Sequence, residues 1–451
     1  MTPYIELHAR SALSFLRGAS RPEELVEQAA ALELPALALC DRDGLYGAAR
    51  LHTAGKEQGV RAIVGAELTL EDGCILPVLA ATREGYRNLS LLITTAKLRG
   101  TKTSCAVRWD ELADYAPGLI ALTGEADGIL KPADAPGSEA RLTKLIQAFG
   151  KENVLVEIQR HLLRGEERRN QFVSAAADQR GLPLVATNGA IYHTNQRRGV
   201  QDVFTCIRQH TTLARAGRLL SANAERFLKS PAQMQKLFAD RPECLENTVR
   251  AAERITFSLE NLGYEFPRYP VPAGESMDAH LRRVTLDGAR RRYGRLSPRV
   301  KKQLTFELGL IARLGFSGYF LIVWDLVRYC AEQGILAQGR GSAANSAVCY
   351  SLGITACDPI SYNLLFERFL AEGRTSWPDI DIDLPSGDKR EQVIQEVYRR
   401  YGKHGAAMTA NVITYRGKSA MREIGKAMEF SEDTLKRFSD LFASGDFPHT
   451  L

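Results

Sequence analysis

The chain has 451 residues, a net charge of +6 at pH 7, 45% hydrophobic and 25% charged residues; it is long enough for two or three domains with cores of their own, and its composition is ordinary for a soluble protein. No run of 18 apolar residues occurs, and the start MTPYIELHARS has no basic region followed by an apolar block, so neither a membrane span nor a secretion signal is expected, and a cytoplasmic protein is. Eight cysteines scattered without a CxxC speak against a zinc ribbon and for reduced, mostly buried thiols.

Residues 1 to about 200 read as repeated strand and helix units. YIELHARS is a predicted strand, and Ser20-Arg21-Pro22-Glu23 a capping box that opens a helix through Leu32. ALALCD ends a strand at Asp41, AIVGAELTL carries Glu67 inside another, and GLIALTG, NVLVEIQ and PLVATN follow. Alternating βα units of this length predict a parallel sheet or a barrel, with polar residues at the strand ends where α/β folds keep their sites.

From about Leu213 to Leu262 the pattern turns helical and polar: Ser230 and Pro231 start one helix, and CLENTVRAAERITFSL continues in helical period. NLGYEFPRYPVPAGES reads as a linker and places a domain boundary near residue 265. Nine basic residues (Arg282, Arg283, Arg290, Arg291, Arg292, Arg295, Arg299, Lys301, Lys302) against the single acid Asp287 then make either a phosphate-tracking face or a solvated helix face. LTFELGLIARLGFSGYFLIVWDLVRYCAEQG contains two helical stretches broken near Gly315 to Gly318, their aromatic residues read as core.

GILAQGRGSAANSAVCY carries an apolar run (Ile335, Leu336, Ala337), the turn Gly339-Arg340-Gly341-Ser342, and a small-residue helix expected to begin near Ala343. Strand, glycine turn and helix N-terminus together present free N–H groups to an anion. Arg340 adds a fork donor, and Ser342 and Ser346 add hydroxyls. Neither GxxxxGK[ST] nor GxGxxG occurs here, so the loop is neither a P-loop nor a dinucleotide fingerprint; a plain tight turn before a packed helix is the other reading.

WPDIDIDL, Trp377 to Leu384, alternates Asp379, Asp381 and Asp383 with Ile380, Ile382 and Leu384. Alternation is a strand pattern, so the three carboxylates share one face, roughly 6.5–7 Å between neighbours. Like charges in this array need compensation. Two Mg ions about 3.5–4 Å apart would supply it and would suit phosphoryl transfer; a merely solvated acidic face is the alternative. After it, Val393, Ile394, Val397, Tyr398 and Tyr401 make one face of a helix that packs beneath the strand.

GFSGYFLIVWDLVRYC, ILAQGRGSAANSAVCY, LLFERFL and PDIDID, in that order, resemble the palm of the bacterial C-family DNA polymerases, the DNA polymerase III alpha subunit family, and QGRGSAANSAVCYSLGI is most like the error-prone translesion branch. The N-terminal half resembles the PHP domain that opens these enzymes. The fold implied is α/β: a PHP-like barrel with a helical packing segment (1–265), the first part of a nucleotidyltransferase-like palm with its acidic strand (266–410), and the start of a helical thumb (411–451). The resemblance implies a DNA-directed DNA polymerase: Asp379 and Asp381 as catalytic residues holding two Mg ions shared with the triphosphate, Asp383 as a supporting carboxylate, and Gly339, Arg340, Gly341, Ser342, Ser346 and Arg368 as nucleotide-binding. It implies DNA primer-template and deoxynucleoside triphosphates as partners, a sliding clamp and damage-response accessory proteins for the full-length protein, and no membrane partner. Arg416, Lys418 and Arg422 fall at the thumb's start as candidates for phosphate contact.

In active PHP domains His, Asp and Glu ligands hold a metal cluster. His8, Asp41, Glu67 and His161 fall on that pattern, but Arg10, Arg42, Gly189 and Ile191 stand where further ligands belong. Arginine cannot ligate a metal and adds positive charge, so the cluster is expected to be absent, the barrel structural, and His8 a hydrogen-bonded core histidine. The family's third active-site aspartate and its fingers lie beyond Leu451, so a fragment or a truncated gene product, inactive on its own, is expected. The alternatives are a metal-dependent phosphoesterase or exonuclease acting through the PHP domain, and a catalytically dead fragment that binds nucleotide or DNA.

Overall fold

The computed structural model describes residues 3–101, 105–260, 262, 268–371 and 378–441; the boundary near residue 265, Trp377 and most of LFASGDFPHTL lie outside them. Two compact units are present, Met1–Leu262 with Ile413–Leu451, and Gly263–Val412. Among the described residues no single helix is long and apolar enough to cross a membrane.

The first unit is built on a curled seven-stranded sheet in chain order: β1 (Glu6–Ala9), β2 (Ala36–Arg42), β3 (Arg61–Thr69), β4 (Ile75–Ala80), β5 (Leu119–Leu122), β6 (Val154–Ile158) and β7 (Leu184–Ala186). β1, β2 and β3 are parallel, as are β5, β6 and β7. β4 breaks the expected all-parallel order and runs antiparallel to both neighbours. The turn before it, with Gly73 at φ 78°, folds ILPVLA back on β3 as a hairpin. That apolar run has no alternation to mark it as a strand because it is buried on both faces.

The concave face encloses one apolar plug drawn from every strand, including Leu7, Cys40, Ile63, Leu79, Leu122, Leu155 and Val185. The helix Glu243–Glu253 adds Ala251 and Ala252 to it and spans the gap between the edge strands: Asn247 donates to the Leu184 carbonyl (2.8 Å), and the Ile5 N–H to Thr248 Oγ1 (3.1 Å). ITFSL does not continue that helix; the N–H groups of Thr256 and Phe257 instead meet the Ala81 carbonyl. The first helix, Pro22–Ala31, is capped one residue later than expected, the Arg21 N–H donating to Glu24 (2.8 Å), while Ser20 turns to His193. The helix Gly417–Ala427 packs on Arg198–Arg208, burying Ala427 with Cys206 and Ala216.

The second unit is mainly helical. Pro298–Arg313 and Ser317–Glu332 bend by 116° about Gly315, whose φ of 75° makes the sharp turn feasible. With Met277–Tyr293 they surround Phe320, Phe366 and Phe369. Of the aromatic residues in this region, Phe316 and Phe320 are core and Tyr319, Trp324 and Tyr329 pack partly buried against it or a neighbouring cluster, as the sequence indicates, but Phe306 is 44% exposed. A two-stranded antiparallel ribbon, β8 (Gln338–Arg340) with β9 (Asp381–Asp383), lies on this core.

Candidate active site

In β9 the alternation acts as expected: Asp381 and Asp383 are exposed and Ile382 packs inward with Ile380. Asp379 is exposed just before the strand, where the Ile380 N–H donates to the Tyr319 hydroxyl (2.8 Å). Burial first, then Asp379 and Asp381, raise the Tyr319 pKa and keep the phenol neutral. The register sets Arg340 opposite Asp381, and Arg340 reaches both carboxylates, 3.6 Å to Asp381 and 3.1 Å to Asp383. The like charges are thus compensated within the ribbon by the arginine that the sequence offers to a phosphate. All three groups are more than half exposed, so each pair is worth less than about 1 kcal/mol and is readily exchanged for a ligand.

Gly339 lies against the Ile354 carbonyl, where a Cβ would come within 2.7 Å, and Gly341 has φ 69°; both glycines are required by backbone geometry. The following segment corrects the sequence reading. Gly341–Asn345 is a 3-10 turn and the α-helix starts only at Ala347, with Ser346 as its N-cap. Its N-terminal donors are taken: buried Glu307 accepts from the N–H groups of Ala347 and Val348 (3.0 Å each) and from Ser346 Oγ (2.8 Å). A carboxylate from inside the protein already satisfies this helix start, and Ser346 is fully buried, so the donors that the sequence offered to an anion already have a partner. Ser342 remains half-buried on the 3-10 turn. Arg368 is exposed at the end of a second 3-10 turn, Phe366–Arg368, that packs on the first. LLFERFL is not an α-helix.

In the first unit the concave face ends in a buried charge network. His8 Nε2 lies 2.8 Å from Glu67 and its Nδ1 2.8 Å from Glu157. Arg42 Nε donates to Glu67 (2.7 Å) and Arg10 to Glu125 (2.7 Å); Arg226 holds the other Glu125 oxygen. Burial opposes every one of these charges, yet Glu157 and Glu67 hold His8 well above its ordinary value. Arg10 and Arg42 hold Glu67 down at about 2, and Arg10 and Arg226 keep Glu125 well below the usual carboxylate range.

Ligand atoms of His8, Glu67 and Glu125 lie within 4.8 Å of one another, close enough for a cation by distance. The donor set does not fit one, because both His8 nitrogens face carboxylates and guanidinium groups occupy the oxygens of Glu67 and Glu125. Asp41 and His161 are not brought to this group. Asp41 accepts from the Ser11 N–H and from the Ser11 and Ser14 hydroxyls, and burial raises its pKa. His161 lies between Glu166 (3.1 Å) and the Asn188 carbonyl (2.8 Å). Gly189 has φ 53°, and a Cβ there would come within 2.6 Å of Glu125 Oε1. The sequence reading missed Glu125 and Glu157; their signal was an acid at or just beyond an apolar strand of this sheet.

Residues 279–448 match the family described as Bacterial DNA polymerase III alpha NTPase domain, and residues 6–161 match the PHP domain. An error-prone DNA polymerase of Mycolicibacterium paratuberculosis is 44% identical over 464 residues, covering 99% of this chain and 42% of the relative. One from Brucella abortus is 43% identical over 442 residues (96% and 40%), and one from Nocardia farcinica 41% identical over 489 (95% and 43%). The chain thus spans about two fifths of the length of the curated relatives it matches. Both domain matches fall on this chain, and along nearly its whole length it is similar to proteins named error-prone DNA polymerase.

Proposed function

We propose that this chain supplies the PHP domain, the first part of the palm and the start of the thumb (1–265, 266–410 and 411–451) of a DNA-directed DNA polymerase that copies damaged templates in the cytoplasm. The observation that carries the reading is the exposed Asp381–Arg340–Asp383 face with Asp379 beside it, inside the segment matched to the polymerase family. The reaction is attack of a primer 3′ hydroxyl on the α-phosphate of a deoxynucleoside triphosphate. Asp379 and Asp381 are hard oxygen donors open to solvent and fit Mg ions, with Asp383 in support. When bound, two such ions neutralise charge on the attacking and leaving oxygens.

The chain's own contribution is positioning and charge. Arg340 exchanges its two carboxylates for triphosphate oxygens, and Arg368 approaches from the neighbouring turn. Gly339 and Gly341 let the backbone come close, and Glu307 keeps the turn rigid from below. Ile380 and Ile382 pin the acidic strand to the core. The exposed basic residues of 282–302 form a face for the DNA backbone, with Arg416, Lys418 and Arg422 as further phosphate contacts. A sliding clamp and damage-response proteins would act on the full-length protein.

A phosphoesterase acting through the PHP domain is the weaker reading, because arginines hold the acids a metal would need. Primer extension by the full-length enzyme tests the proposal. Asp379→Ala and Asp381→Ala should each abolish extension in a folded protein, and extension retained by either would overturn it.

A further inference from the structure

Five arginines converge on one cavity at the mouth of the curled sheet. It has a volume of about 530 Å³ and is lined by Arg10, Arg17, Arg42, Arg208 and Arg226, against only two carboxylates, Glu125 and Asp127. Three of the arginines have work to do: Arg10, Arg42 and Arg226 neutralise Glu67 and Glu125. Arg17 and Arg208 do not. Among the described residues neither has a carboxylate in ion-pair range, and Arg208 Nε is buried without a hydrogen-bond partner. Burial first, and then neighbouring arginines, lower the pKa of both: Arg42 acts on Arg17, and Arg17 and Arg10 on Arg208.

Two half-buried cations crowded against three others raise the folding free energy unless a negative charge joins them. The position of Arg17 is also built at a cost. Its loop passes through left-handed backbone at Phe15 (φ 44°) and Leu16 (φ 65°), both non-glycine residues. The loop is tied down by Ser11 and Ser14 to Asp41. A side chain with the type of a metal ligand thus anchors the loop that carries an unpaired guanidinium to the cavity. Thr205, Ser221 and Gln209 add neutral polar groups to the lining.

We propose that this mouth binds a phosphate-bearing anion directly through Arg17 and Arg208, without a metal, so that guanidinium groups do here what cations would do in a metal-dependent barrel. The cavity accommodates inorganic phosphate, a diphosphate, or the terminal phosphate of a nucleic acid strand. This site is separate from the triphosphate site proposed on β8 and β9 and stands whether or not that one does.

The test is calorimetric titration of the 451-residue chain in EDTA at low salt with inorganic phosphate, inorganic pyrophosphate, and a short single strand carrying either a 5′ phosphate or a 5′ hydroxyl. Binding is expected to weaken with salt and to fall at least about tenfold in Arg17→Gln/Arg208→Gln, since both charged hydrogen-bond donors to the anion are removed. It should be unchanged in Asp379→Ala. The double variant should melt no lower than the unaltered chain when no anion is present, because no acid depends on either arginine. Binding of pyrophosphate alone identifies a free anion as the ligand; binding of the strand only when phosphorylated identifies a terminal phosphate. Absence of binding by every probe, binding indifferent to the double variant, or a double variant that melts well below the unaltered chain would overturn the proposal.

Discussion

Replacing Arg10 by alanine removes one guanidinium from the centre of the buried network. Its side chain is 9% exposed and lies 2.7 Å from Glu125 and 3.6 Å from Glu67, acids that are 10% and 2% exposed. Breaking a buried ion pair from one side costs about 3–5 kcal/mol because a desolvated charge is stranded. Here Arg226 still holds Glu125, and Arg42 and His8 still hold Glu67, so the lower end applies, about 3 kcal/mol. For a unit of this size that is a fall in Tm of roughly 6–12 °C. Scanning calorimetry at about pH 7.5 and about pH 4 measures it. In the variant, burial raises the pKa of both acids, so acidification protonates them and the gap from the unaltered chain should narrow. A loss under about 1 kcal/mol at the higher pH, or a gap that does not narrow, would refute the account of this network.

The same groups set the pH dependence of the unaltered chain. Glu67, held at about 2 against an ordinary 4.5, contributes about 3 kcal/mol that is whole above about pH 4.5 and lost as pH falls through about 2. His8, held above its ordinary value, contributes stability that is whole below about pH 6.5 and lost as pH rises through its folded-state pKa; melting curves from acid to alkaline pH should show a decline on each side, and a curve still rising below about pH 4 counts against the assignment. In the second unit, Gly339→Ala would drive a Cβ against the Ile354 carbonyl at 2.7 Å, costing about 1–3 kcal/mol and weakening nucleotide binding. Unchanged melting and unchanged binding would remove the glycine from the argument.

What the sequence could show was set by range. The alternation around Asp381 and Asp383 is local, and it correctly predicted that these two side chains leave the strand together, while Asp379 lies just before the strand. Ser230 with Pro231 marked a helix start for the same reason. Partners far along the chain left no such mark. Arg340 meets Asp383 across 43 residues, and Glu307 reaches Ser346 across 39. Both acts of charge compensation were therefore invisible, and the helix start looked free for phosphate when it was not. In the barrel, Arg10 and Arg42 were visible in the sequence where ligands were expected, but Glu125 and Glu157 meet His8 or Arg10 only through the curl of the sheet.

The central claim is that the face made by Arg340, Asp379 and Asp381 takes a triphosphate with its metal ions. Titration of this 451-residue chain with a deoxynucleoside triphosphate in Mg or Mn tests it most directly, comparing the unaltered protein with Arg340→Ala and Asp379→Ala. The account predicts metal-dependent binding that each substitution weakens at least about tenfold. Binding that survives both substitutions in folded proteins, or no metal-dependent binding at all, would contradict it.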